Sequence, residues 1–142
     1  VHMLERARRR DGHGAVEWVQ ADLLAHDPPL PYDTVVAAFF LNVFDAAQLA
    51  PVAALLRRLL RPEGRLVVAD FAPAGRRGRV LQRLFHHLPM WTFAHLTGSA
   101  RHPIHDLAGA LSRTGFRVRR RQSFRLFGAG PAWIEGLEVV PR

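Results

Sequence analysis

Residues Pro31 to Phe71 read PYDTVVAAFFLNVFDAAQLAPVAALLRRLLRPEGRLVVADF, and the reading of this stretch decides the fold. Two apolar runs, Thr34–Leu41 and Arg65–Phe71, flank one helical segment and a tight Arg61-Pro-Glu-Gly64 turn. Both runs are rich in Val, Phe and Leu with almost no polar alternation, the pattern of strands covered on both faces in a parallel sheet. Strand, helix, turn and strand make a βαβ unit, whose crossover is expected to be right-handed. Polar residues appear where the strands end: Asn42 and Asp45 after the first, Asp70 at the second. Ligands of open α/β sheets bind outside those carboxyl ends.

The rest of the chain was read outward from this unit. Met3–Arg10 reads as the end of a helix, stopped by Asp11-Gly-His-Gly14. Ala15–Ala21 reads as a short strand, and the three prolines of His26–Pro31 allow neither helix nor central strand. Because Pro51 is tolerated best in a first helical turn, the main helix is expected near Ala50 to Leu60. Val80–Leu88 is amphipathic, Pro89–Ser99 aromatic and irregular, and Pro103–Thr114 a helix stopped by Gly115. Phe116–Phe124 and Trp133–Val140 read as strands joined by a short Gly/Pro turn, hence an antiparallel hairpin.

The 142 residues suit one domain, and an apolar fraction of 49% is that of a globular protein. No apolar run reaches the roughly 18 residues of a membrane span, and no signal-peptide core is present, so a cytoplasmic location is the expectation. The absence of cysteine excludes disulfides and thiolate metal sites. The formal charge is +8, carried entirely by Arg without a single Lys. The arginines fall in scattered clusters in an Ala-, Leu-, Pro- and Gly-rich composition, so they read as solvated faces, and no nucleic-acid partner is expected.

Four motifs in order resemble the class I S-adenosylmethionine-dependent methyltransferases. Val19-Gln-Ala-Asp22 resembles the end of the family's third strand, and Tyr32–Asn42 its fourth. Leu60-Arg-Pro-Glu-Gly64 followed by Arg65–Asp70 resembles the "L-(K/R)-P-G-G" turn and fifth strand, with Glu63 in place of the first Gly. Leu111–Phe116 resembles the step "L-x-x-A-G-F", with Thr114 for Ala. The resemblance covers essentially the whole chain and implies an α/β Rossmann-like three-layer sandwich. Its sheet would be mostly parallel, end in an antiparallel hairpin, and be truncated at the N-terminus.

The family's Gly-rich loop and the acidic residue ending its second strand have no counterpart in the sequence. Met3-Leu-Glu-Arg-Ala-Arg8 resembles the helix just past that acidic residue, so residues 1–142 would be a single incomplete methyltransferase domain beginning after strand two. In the family's strand order 3-2-1-4-5-7-6, strand three would then lack a ladder partner, and the Val35–Leu41 edge would be bare and apolar, an aggregation template. The expectation for the chain alone is a marginal fold, a collapsed one with strand three moved beside strand four, or one completed by a missing segment.

The resemblance implies S-adenosyl-L-methionine as cofactor, with Ala21, Asp22, Leu23, Phe40, Leu41 and Asn42 as binding candidates. It places Asp22 against the adenine amino group, although a strand-ending surface Asp is the plain alternative. Asn42, the chain's single Asn, suits a pocket contact or a turn equally. Methyl transfer is an in-line displacement that needs alignment and an apolar pocket rather than a metal. The clustered histidines lack an acidic partner at ligand spacing, so no metal site is expected. His87 or His95 could act as general base. Residues 76–102 fall where the family inserts its substrate lid, and Phe71, Phe85 and Trp91 are the candidates for the acceptor pocket. The aromatic and arginine content of 76–96 suits a small hydrophobic acceptor or contact with an anionic membrane surface. Two rivals remain open: a non-catalytic or split fragment completed by a partner segment, and an Arg-rich nucleic-acid-binding module.

Overall fold

A computed structural model describes residues 2–10, 16–73, 80, 84, 88–97, 104–125, 128, 130 and 132–142. Among them are four helices, α1 (His2–Arg10), α2 (Ala46–Arg58), α3 (Leu88–Thr97) and α4 (Leu107–Arg113). Four strands, β1 (Tyr32–Ala38), β2 (Leu60–Phe71), β3 (Phe116–Arg125) and β4 (Ala132–Pro141), form one sheet in the order β1-β2-β4-β3. β1 and β2 run parallel, whereas β4 is antiparallel to both β2 and β3. The predicted parallel unit and terminal hairpin are therefore both present, and β4 is inserted between β2 and β3.

Burial explains why the strands hold this register. On β2, Leu66, Val68 and Asp70 are buried while Val67, Ala69 and Phe71 are half-buried; on β4, Glu135, Leu137 and Val139 alternate in the same way. A one-residue slip would turn the whole buried row to the other face. That row meets Leu49, Val52, Ala53 and Leu56 of α2 and Leu107 and Leu111 of α4 in one core, with Phe116 at the start of β3. The reverse face is only half-buried. β1 is a sheet edge, and Val36 on it is 68% exposed, the bare apolar edge anticipated from the sequence.

Several elements depart from their predicted bounds. No strand forms among residues 16–21; they run irregularly to a 3-10 turn at Leu23–Ala25. They do not pair with the free edge of β1, so the alternative of strand three moved beside strand four is not adopted. α2 begins at Ala46 rather than Ala50, because Asp45 and Gln48 form a reciprocal capping box: Gln48 N donates to Asp45 Oδ1 at 2.8 Å and Asp45 N to Gln48 Oε1 at 3.0 Å. That puts Pro51 inside the helix, at the cost of one intrahelical hydrogen bond. Asp45→Ala should therefore lower stability by about 1 kcal/mol in urea denaturation, and Asp45→Asn by clearly less.

The Arg61–Gly64 turn is present as an irregularity within β2. Tyr32 pairs with Leu60 and Thr34 with Arg65, so residues 61–64 loop out opposite Asp33. A Cβ on Gly64 would lie 3.0 Å from the carbonyl oxygens of Arg61 and Tyr32, which explains why this Gly remains although its neighbour is Glu63. Residues 89–97 of the stretch read as irregular are helical, in α3. α4 starts at Leu107 rather than Pro103, because Asp106 caps it by accepting from Gly109 N at 3.1 Å. The Val80–Leu88 stripe lies mostly outside the described residues.

Candidate functional site at the strand tips

Beyond the last residue of β1 the chain must turn sharply back over the sheet. Phe39 makes that turn with φ at 50°, a left-handed conformation that costs a bulky residue roughly 1–2 kcal/mol. Its N–H remains tied to Ala69 O at 2.7 Å, and its ring lies tilted against that of Phe71, with centroids 5.3 Å apart. Strained backbone of this kind clusters at ligand sites. A 3-10 turn at Leu41–Val43 follows, with Phe40 and Phe44 edge to face at 5.2 Å.

Asp70 fastens this turn to β2. The carboxylate is 1% exposed; Oδ2 accepts from Asn42 N at 3.1 Å and Oδ1 from Phe71 N at 2.8 Å. Burial pushes its pKa above the ordinary 3.8, while the backbone donors and nearby His105 pull the other way. His105 is itself placed by donating from Nε2 to Phe44 O at 2.8 Å. Directly opposite Asp70 on β4 stands a second buried carboxylate, Glu135, 4% exposed and ion-paired with Nε of Arg121. The strand tips thus carry two buried acids, one satisfied by backbone N–H groups and the other by a guanidinium.

An apolar cavity of about 320 Å³ lies over the β1 edge, lined by Val19, Ala21, Leu23, Val35, Val36 and Phe40 among others. Three of the cofactor-binding candidates, Ala21, Leu23 and Phe40, are therefore brought together, although no strand carries the first two. Asp22 sits between them and uses Oδ1 to cap the turn, accepting from Leu24 N at 3.0 Å. Leu41 is core, 1% exposed. Asn42 is 7% exposed, and its carboxamide has no hydrogen-bond partner among the described residues. Asn42 is not among the lining residues of that cavity; it follows Phe40, which is, by two positions.

The acceptor-side candidates are more dispersed. Phe71 faces Phe39 at the tip, whereas Trp91 and His95 pair edge to face on α3 at 4.4 Å, with Trp91 half exposed. Phe85 and His87 lie outside the described residues. Among the described residues no group of three or more His, Cys, Asp or Glu could hold a metal ion, and no helix is long and apolar enough to cross a membrane. Phe39 and Glu135 were not singled out from the sequence. A positive φ has no composition signal at a Phe, and Glu135 becomes a site neighbour only through the β2–β4 register.

No protein-family model and no curated protein matches the sequence. Solved structures do match. The chain is similar to LepI in complex with SAM, with a TM-score of 0.72 at 12% identity over 99% of this chain and 34% of that one. It is similar to magnesium protoporphyrin IX methyltransferase (ChlM) from Synechocystis PCC 6803 with bound SAH, at TM-score 0.64 and 20% identity over 97% and 57% of the two chains. Mitomycin 7-O-methyltransferase MmcR matches at TM-score 0.60 and 21% identity over 89% and 34%. The chain has the fold of the class I S-adenosylmethionine-dependent methyltransferases, and spans between about a third and just over half the length of these solved chains.

Proposed function

We propose that this chain is part of an S-adenosylmethionine-dependent methyltransferase acting on a small, hydrophobic acceptor. The observation that carries the reading is the fold match over nearly the whole chain to structures crystallised with SAM or SAH. The cavity and the buried Asn42, whose carboxamide has no hydrogen-bond partner among the described residues, support it. When bound, the cofactor would supply an electrophilic sulfonium methyl group to an acceptor lone pair in line, with the C–S bond breaking and the neutral thioether leaving. Every other role belongs to the chain. Ala21, Leu23 and Phe40 form an apolar wall; the Asn42 amide hydrogen-bonds a polar edge; Asp70 keeps the Phe39–Val43 turn in place; Phe39 and Phe71 exclude water from the tip.

The exposed Leu88, Trp91 and Leu96 of α3 favour an apolar acceptor approaching from that helix, with His95 or His87 available to take a proton from it. The same exposed side chains could instead rest on an anionic membrane surface. A second reading, a fragment completed by a partner segment, is favoured by the free β1 edge and by the chain's partial span of the structures it resembles. Calorimetric titration with S-adenosylmethionine separates the two. The enzyme reading expects saturable binding with a micromolar dissociation constant that Asn42→Ala weakens about tenfold, the upper end for one neutral hydrogen bond. No heat up to millimolar cofactor would assign the chain to the fragment reading.

A further inference from the structure

The end of the sheet away from Asn42 and Asp70 holds a second, larger cavity of about 500 Å³. Three stretches distant in sequence converge on it: the last turns of α2 and the start of β2, the α4–β3 junction at Thr114, and the end of β4 at Pro141 and Arg142. Arg57, Arg58, Arg61 and Arg142 line it, and no carboxylate side chain does. We propose that this cavity binds a compact polyphosphate anion through the guanidinium groups of Arg57, Arg58 and Arg61, independently of whether the strand tips bind a methyl donor.

The plain alternative is that these arginines are solvated surface groups, with Arg57 and Arg58 complementing the negative end of the α2 dipole. Three observations go further. Arg58 makes no hydrogen bond or ion pair with any described residue, so its five donors are available. Arg57 gives one Nη2 hydrogen to Arg142 O at 3.3 Å and packs over Gly115, where a Cβ would approach its Nε to 3.5 Å, so its stem is held while the rest of its fork is unused. Arg61 reaches Asp33, but both side chains are at least half exposed, so the pair is weak and can be exchanged for a ligand.

The floor and walls are apolar, formed by Ala54, Leu60, Pro62 and Pro141. The Thr114 hydroxyl is already committed to Ala110 O and Leu111 O. Guanidinium forks match phosphate oxygens two at a time, and several forks around one volume favour a ligand with more than one phosphate group. The volume lies within the usual range of small-molecule sites. The arginines of β3 provide an internal comparison: Arg117, Arg119 and Arg120 lie along an exposed edge strand and do not line this cavity.

Isothermal titration with inorganic pyrophosphate at fixed ionic strength tests the proposal, with sulfate as the singly centred control. One saturable site is expected, weakened at least tenfold in Arg57→Ala/Arg58→Ala and at least threefold in Arg58→Ala alone, which removes no side-chain hydrogen bond or ion pair with a described residue. Arg117→Ala/Arg120→Ala, which lowers the net charge by the same amount, should leave affinity within twofold. Equal losses in the two double variants, sulfate binding as tight as pyrophosphate, or the absence of saturation would each overturn it.

Discussion

Phe116→Ala should remove about 3–5 kcal/mol of folding stability, the cost of emptying a fully buried aromatic site. Phe116 is 0% exposed and opens β3 immediately after Gly115, whose φ of 89° ends α4 and aims the chain back along the sheet. Its ring therefore lies where α4, β3 and the β4 end meet, in one core with Leu107, Leu111 and Val139. No side chain on the exposed remainder of β3 can refill the space, because the residues beyond Val118 on that strand are exposed and largely Arg. Domains of this size are stable by about 5–15 kcal/mol in total, and this one carries an unpaired β1 edge. The variant should consequently unfold at a much lower urea midpoint, or be unfolded without denaturant. Phe116→Leu keeps most of the volume and should cost about 1–1.5 kcal/mol. Equal midpoints for the two variants would show that the ring does not pin the hairpin to α4.

The central βαβ unit was legible in the sequence because its signal is physical and local: two uninterrupted apolar runs, a capped helix and a Gly at a crowded bulge. The hairpin followed from the short Gly/Pro connection. Legibility failed where partners decide. Ala15–Ala21 has strand composition, yet composition does not decide pairing, and residues 16–21 stay irregular. Pro51 pulled the expected helix start inward by four residues, whereas the Asp45–Gln48 capping box that the structure shows outweighs one lost hydrogen bond. At the site, Ala21, Leu23 and Phe40 were named together and do share a cavity. The strained Phe39 and the Asp70–Glu135 pairing depend on backbone angle and strand register, which no single-residue signal reports.

Asp70 is where stability and the candidate site meet, and its variants should show both. Asp70→Ala removes the acceptor of the buried Asn42 N–H and one acceptor of the Phe71 N–H. Losing such an acceptor costs about 1–3 kcal/mol, offset in part because a buried charge is also removed, so a net loss of about 2 kcal/mol is expected. Asp70→Asn keeps one acceptor oxygen and should lose less. The pH dependence has a definite sign. Burial raises the folded pKa of Asp70 above 3.8, so its contribution is fully present below that value and is lost as pH rises through the raised one. The stability gap between wild type and Asp70→Asn should accordingly narrow as pH increases across that window, measured as the difference between two urea series in the same buffers. A gap that widens instead would mean the backbone donors outweigh burial and hold the carboxylate charged. If the strand tips bind S-adenosylmethionine, the two variants should also separate by ligand. At a temperature where both are folded, Asp70→Ala should bind it more weakly than Asp70→Asn, because only the amide can still hold the Phe39–Val43 turn against β2.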